Sequence, residues 1–376
     1  MSKLDECILG DLVEFQRGYD LPKSKFVEGK YPVQSSNGIL GYHNEYKVEG
    51  PGITIGRSGT VGTPHLIREN FFPHNTSLFV KEFKGNDIEY IYYLLQYLDL
   101  GNQKSGSGVP TMNRNHLHPI KIRAYRDKTY QQRTIKILSL IDKKIQINNQ
   151  INQELEAMAK TLYDYWFVQF DFPDQNGKPY KSSGGKMVYN PELKREIPEG
   201  WGVESVGNLL DKVTKAEKIE NNSIEFIGEI PVIDQSQKYI AGFTNNENAI
   251  LQPQDGHVIF GDHTRVVKYI NFDYARGADG TQVLISNNEN ISNVLLYHMI
   301  EDFDLSNYGY ARHFKFLKEK TVIVPDKEVS SKFETQANVI YEKIKNNIFE
   351  NQELTQLRDW LLPMLMNGQA RVEDKT

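Results

Sequence analysis

Hydrophobic and polar positions alternate with two different periods along this chain, and the two regimes take turns. Between residues 131 and about 167, residues Ile141, Ile145, Asn148, Asn152, Leu155, Met158 and Leu162 follow one another at steps of three and four. That is the seam of one long helix, about 54 Å at 1.5 Å per residue. A shift of 199 lays this seam on Ile340, Ile344, Asn347, Asn351, Leu354, Leu357 and Leu361, so a second helix is expected from 332 to about 366. Two asparagines at the same seam positions in both copies are hard to obtain by chance. A buried Asn costs stability but rejects misaligned partners, so the two helices are expected to pair, antiparallel, as a coiled coil.

Upstream of each helix the pattern shortens to strand length. Gly52–Gly56, 77–81, 121–123, 258–260, 282–285 and 320–324 are short, β-rich and bounded by turn residues, while Ile88–Leu98 and 291–300 read as one helix per copy. The duplication extends into these regions. Tyr31-Pro32-Val33 answers Ile230-Pro231-Val232, Leu9-Gly10-Asp11-Leu12 answers Val206-Gly207-Asn208-Leu209, and Gly56 answers Gly261. The expected class is therefore α+β: two pseudo-symmetric modules at 1–130 and 201–331, long helices at 131–170 and 332–370, and a Gly/Pro/Ser-rich, flexible connector at 171–200.

The 376 residues carry 44 Lys and Arg against 49 Asp and Glu, a net charge of −5, which argues against indiscriminate coating of nucleic acid. The charge is uneven. Residues 101–150 hold ten basic side chains against Asp127 and Asp142, whereas residues 201–300 hold 7 basic and 13 acidic ones. Cys7 is the single cysteine, so an internal disulfide is excluded and no Cys/His zinc spacing occurs. The N-terminal residues lack the basic start and apolar run of a signal peptide, and no apolar run reaches the ~18 residues of a membrane span, so a cytoplasmic protein without a membrane partner is expected.

Candidate chemistry lies in polar loops at equivalent places of the two copies. One pair follows the repeated glycine, at 56–60 and 261–265. A second precedes the next strand, at 73–77 and 276–282. The third is the Gly/Ser-rich 104–116 and the aromatic and basic 306–315. Arg suits guanine and Asn or Gln suits adenine in a major groove. The candidate base readers are therefore Arg57, Asn75, Asn113 and Arg114 in the first copy, and His263, Arg265, Gln282, Arg312 and His313 in the second. Lys104, Lys121, Lys315 and Lys318 are the candidate phosphate contacts. There is no Gly-x-Gly-x-x-Gly, Walker loop, nucleophile elbow, amino-methyltransferase Pro-Pro-Tyr stretch or His-x-x-x-His spacing, so no catalytic or metal-binding residue is assigned. The spacing of Pro173-Asp174 and Glu192-Leu193-Lys194 imitates a metal-dependent nuclease, but it falls in the connector.

Several motifs in combination carry a resemblance. They are Gln131-Gln132-Arg133-Thr134-Ile135 opening the first helix, Leu162-Tyr163-Asp164-Tyr165-Trp166-Phe167-Val168-Gln169-Phe170 closing it, Ile197-Pro198-Glu199-Gly200-Trp201 leading into the second module, and Leu357-Arg358-Asp359-Trp360-Leu361-Leu362-Pro363-Met364-Leu365-Met366-Asn367-Gly368. Together they resemble the specificity (S) subunit of type I restriction-modification systems over essentially the whole chain. One departure is that the first module lacks the Pro-x-Gly-Trp lead-in of the second. The resemblance implies a non-catalytic subunit with two target recognition domains, each reading one half of a bipartite double-stranded DNA site. The paired helices would set the spacing and dock two methyltransferase (M) subunits, with restriction (R) subunits joining them. S-adenosylmethionine, ATP and Mg would belong to those partners, with no cofactor in this chain. Three alternatives stay open: a specificity subunit serving a fused nuclease-methyltransferase, a duplicated protein-binding scaffold, and a nuclease using Asp174 and Glu192.

Overall fold

The structure is a computed structural model describing residues 4–102, 111–211, 213, 216–309 and 312–370. Lys104 lies outside the described residues. The helices used below are α1 (Ile88–Leu98), α2 (Arg114–Leu117), α3 (Lys128–Tyr163), α4 (Asn293–Ile300), α5 (Phe314–Lys318) and α6 (Lys327–Met366). The chain divides into two compact units, one made of residues 1–147 and 351–376, the other of residues 148–350. The division cuts both long helices, so each unit contains a module, part of α3 and part of α6.

In the first unit, Asp5–Ile8 pairs antiparallel with Lys121–Ala124 and joins the module's beginning to its end. An antiparallel sheet has the order Glu14–Arg17, Ser77–Glu82, Gly52–Gly56, Pro64–Ile67. A smaller sheet places Tyr31–Ser35 between Gly38–His43 and, in parallel, Phe72–Pro73. Helix α1 starts where the Asp87 carboxylate accepts from the Tyr90 N–H at 3.1 Å, and it buries Tyr90, Ile91, Leu94 and Leu95 in the core. Gln131, fully buried, explains the opening of α3. Its amide oxygen accepts from Asp87 N–H at 2.8 Å, and its NH₂ donates to Tyr125 O and Asn86 Oδ1, both at 2.7 Å. The same core, which holds Leu4, Tyr125 and Leu138, is completed by Leu361, Leu362, Leu365 and Met366 from the end of α6. Beside them Arg358 donates to Asp142 at 2.9 Å, and Tyr93 donates to the same carboxylate at 2.6 Å.

The second unit repeats this order, with two short strands, Lys218–Ile219 and Ile250–Leu251, added to its smaller sheet. Gly202–Ser205 pairs with Thr321–Val324. The main sheet runs Leu210–Asp211, Thr281–Ser286, His257–Gly261, Val267–Ile270. In the second sheet Ile230–Ile233 and Lys218–Ile219 both pair in parallel with Tyr274–Gly277. Its core holds the end of α3 and the start of α6, with Trp166, Phe167, Phe333, Ala337 and Ile344 packed around α4. The α+β class expected from the pattern is the class observed.

The helices pair antiparallel. In the second unit Asn148 Nδ2 donates to Glu350 Oε2 at 2.7 Å, and Asn347 Nδ2 donates to Asn152 Oδ1 at 2.8 Å, so partner numbers fall as α3 advances. All twelve seam residues other than Met158 and Leu357 are buried or half-buried. Those two are exposed, and Ala159, one position on, faces the core in place of Met158, because a heptad drifts about 20° against an undistorted helix. Replacing Asn347 by Leu strands the buried Asn152 amide and is expected to cost about 1–3 kcal/mol in urea denaturation. The double variant Asn152→Leu/Asn347→Leu should recover most of it; a cost of the double variant equal to or above the single would contradict the pairing.

The expected flexible connector at 171–200 is ordered. Met187–Asn190 and Arg195–Pro198 form an antiparallel hairpin, and Phe170, Phe172, Ile197 and Trp201 are buried in the second unit's core, with Phe172 stacked on Trp201 at 4.9 Å. Composition marked polar turns correctly but gave no hint that the aromatic residues between them reach inward.

Candidate nucleic-acid interface

Gly56 and Gly261 each end an inner strand of a main sheet, and a side chain at either would force a neighbour to shift. A Cβ on Gly56 would meet Thr60 O at 1.7 Å, and one on Gly261 would meet Thr264 Oγ1 at 2.1 Å. The loop that follows folds back tightly in both units: Gly62 N–H donates to Gly56 O at 2.9 Å, and Arg265 N–H donates to Gly261 O at 2.7 Å. What the loops present is then set by two backbone hydrogen bonds that recur in each unit. Arg57 N–H donates to Thr76 O at 2.8 Å, and Arg57 O accepts from Met112 N–H at 2.8 Å. In the second unit Asp262 N–H donates to Gly280 O at 2.7 Å, and Asp262 O accepts from His313 N–H at 2.9 Å. Three loops separated in sequence are thereby gathered into one cluster, twice, by the same scaffold.

In the first unit that cluster contains all four candidate base readers. The Arg57 guanidinium rests 3.5 Å from Asn75 O, and the Asn75 amide donates to the Asp20 carboxylate, which also pairs with Arg17 at 3.1 Å. Asn113 caps α2 by accepting from Asn115 N–H at 3.1 Å, and Arg114 projects from the first turn; both are exposed. Lys121 is exposed on the ladder with Asp5–Ile8, away from these bonds.

In the second unit His263, Arg265 and Arg312 are exposed in the equivalent cluster, with Lys315 in the first turn of α5. Gln282 is half-buried in the strand that leaves it. Lys318 lies at the other end of α5, over the Phe314 ring at 5.1 Å. His313 requires a correction: it is buried, 4% exposed, and its Nδ1–H donates to Asp262 O at 2.9 Å, so it clamps the loop from inside and cannot face a base from there. Asp262, the counterpart of Arg57, is buried as well and accepts from Phe314 N–H at 2.8 Å, starting α5. The position that offers a guanidinium in the first unit is a structural cap in the second.

Arg265 sits at φ +64°, a conformation that costs a non-glycine residue about 1–2 kcal/mol. Keeping an arginine there favours a role for its side chain over a role in the turn. Arg265→Gly is expected to hold or slightly raise the melting temperature while weakening sequence-dependent DNA binding about tenfold or more. Unchanged discrimination by gel shift would remove Arg265 from the interface.

Sequence reasoning missed the side chains that tie these loops from below. Asn37 Oδ1 accepts from Thr60 N–H at 3.3 Å, and Ser36 N–H donates to Thr76 Oγ1 at 3.3 Å. In the second unit Gln235 plays this part, and the loop that carries it is anchored by Lys268, whose Nζ donates to Asp234 O at 2.8 Å. Burial pushes the Lys268 ammonium down to about 8. The shift of 199 that matches Pro32-Val33 to Pro231-Val232 also matches Ser36 to Gln235, so the signal was present in the repeat.

The nuclease-like carboxylates are otherwise engaged. Asp174 accepts from Asn176 and Lys178 N–H at 2.8 Å within a turn, and Glu192 accepts from Thr321 Oγ1 at 3.0 Å. Among the described residues no group of three or more His, Cys, Asp or Glu is placed to hold a metal, and no helix is long and apolar enough to cross a membrane.

Residues 1–157 match the family described as the type I restriction modification DNA specificity domain. The chain is similar to the type I restriction enzyme MjaIX specificity subunit of Methanocaldococcus jannaschii, 26% identical over a 319-residue alignment covering 76% of this chain and 70% of that one. It is also similar to the type I restriction enzyme HindI specificity subunit of Haemophilus influenzae, 24% identical, covering 65% of this chain and 68% of that one. In fold it resembles the crystal structure of a type I restriction-modification S subunit from M. genitalium, with a TM-score of 0.58 at 17% identity, covering 100% of this chain and 97% of that one. The sequence and fold are thus similar to those of type I restriction-modification specificity subunits.

Proposed function

We propose that this chain, similar to the type I specificity subunits, reads double-stranded DNA in two halves, one with each unit, and has no catalysis of its own. The observation that supports this most directly is the recurring loop scaffold: the same two backbone hydrogen bonds display Arg57, Asn75, Asn113 and Arg114 in one unit and His263, Arg265 and Arg312 in the other. Identical support with different side chains is what reading two unlike half-sites requires. Lys315, and outside the cluster Lys121 and Lys318, add sequence-independent phosphate attraction.

The long helices set the distance between half-sites and dock methyltransferase and restriction subunits, which bring S-adenosylmethionine, ATP and Mg. Exposed apolar side chains on helix surfaces fit docking: Leu140 in the first unit, and Met158 and Val339 in the second, are 59%, 58% and 71% exposed.

The test is a methylome. The chain is expressed with a type I methyltransferase subunit in a host without adenine methylation, and N6-methyladenine is mapped across the genome. Two short motifs separated by a fixed number of unspecified bases are expected, and exchange of residues 201–331 should change one motif alone. One continuous motif would mean that a unit does not read DNA. Absence of methylation with the partner bound would favour a protein-binding scaffold.

A further inference from the structure

Gln235 follows the strand Ile230–Ile233 of the second sheet, yet its hydrogen bonds go to two loops of the main sheet. Its amide oxygen accepts from His263 N–H at 3.1 Å, its NH₂ donates to Asp279 O at 3.0 Å, and its backbone carbonyl accepts from Thr264 Oγ1 at 2.6 Å. A single half-buried side chain thus spans from the loop carrying His263 and Arg265 to the turn before Thr281. Its own segment is held in turn: Lys268, buried on Val267–Ile270, donates to Asp234 O at 2.8 Å, and Ser236 N–H and Oγ donate to Asp234 Oδ1 at 2.9 and 2.6 Å. The closeness is general to the scaffold, because a Cβ on Gly261 would lie 3.0 Å from Gln235 Cβ, just as one on Gly56 would lie 3.3 Å from Ser36 Cβ. The chemistry is particular to this unit. Ser36 is too short to bridge two loops, and the first unit divides the work between Ser36 N–H and Asn37.

We propose that Gln235 is a positioning residue that sets base selectivity in the second unit by fixing the direction in which His263 and Arg265 face the DNA. This rests on the DNA-reading function proposed above. Gln235 need not touch a base. A bidentate arginine–guanine pair tolerates little angular error, so a loop released from its tie spreads the guanidinium over several orientations and loses discrimination before it loses charge attraction.

The experiment is the two-part methylome of the full chain with its methyltransferase subunit, repeated for Gln235→Met and Gln235→Ala. Melting temperature and salt-dependent DNA binding are measured alongside. Methionine keeps the bulk and removes the amide, so both variants are expected to lower the preference for the cognate base about tenfold in one half-site. The other half-site, the salt slope and the melting temperature should stay within error of wild type. A Gln235→Met motif identical to wild type would overturn the assignment, since bulk alone would then suffice. Loss of both half-sites with a lowered melting temperature would overturn it as well, because the residue would then be a structural support. Failure of the wild-type chain to give a two-part motif would instead overturn the function on which the assignment rests.

Discussion

Removal of residues 361–376 is expected to unfold the module at the opposite end of the sequence. Leu365 and Met366 are buried at 2% and 1% exposure in the first unit's core, and Leu361 and Leu362 are half-buried against it. Full burial of such a side chain is worth about 1.5–3 kcal/mol, so the four together supply on the order of 5–8 kcal/mol. A domain of this kind is stable by about 5–15 kcal/mol in total, and the loss takes most of that. Amide hydrogen exchange reads the result directly. Backbone amides of Gly52–Gly56 and α1 should lose protection in the shortened chain, while those of His257–Gly261 and α4 keep theirs. Retained protection in Gly52–Gly56 would show that the end of α6 is an accessory to that core.

The second large effect is expected in the other unit. Phe333 is fully buried at the start of α6, edge-on to Phe167 at 5.2 Å, with His298 at 5.7 Å, Trp166 at 6.2 Å and Tyr163 at 6.3 Å. Rings so arranged contribute beyond their buried area, and a truncation leaves a hole that rigid neighbours fill poorly. Phe333→Ala should cost about 3–5 kcal/mol and Phe333→Leu markedly less. Trp166 and Trp201 are both buried in this core, so the shift of the denaturation midpoint is visible in tryptophan emission. A cost below about 1 kcal/mol for Phe333→Ala would mean that the aromatic cluster closes over the gap.

Both predictions turn on the same property. A heptad seam announces that a helix has a face to cover, and a motif such as Leu162–Phe170 announces that its end is aromatic. Neither says which distant segment supplies the cover. The natural reading of module followed by helix makes each helix the tail of its own module. In the folded chain the end of each helix completes the core of the other half's module instead, with Met366 in one core cluster with Leu4 and Tyr125, and the Trp166 and Phe333 rings 6.2 Å apart. The connector follows the same logic: its glycines and prolines were readable as turns, but the inward side of Phe172 depends on Trp201 being there to receive it.

The candidate interface divides in a similar way. The loops that carry Arg57, Asn75, Asn113 and Arg114 were legible as one group because repeated glycines and polar turns mark them, and residue chemistry marks these four as candidates. His313 was misread, and Gln235 was passed over, for one physical reason. Side-chain direction in a loop follows from backbone hydrogen bonds between residues far apart in sequence, here His313 with Asp262 and Gln235 with His263 and Asp279. Local periodicity and turn chemistry were enough to determine the duplicated α+β design, the place of both long helices, the polar seam and the polar loops that cluster in each unit. The tertiary structure decided which helix end closes which core, and which loop residues point outward. Burial and long-range hydrogen bonding are properties of the assembled fold, and no window of sequence contains both partners.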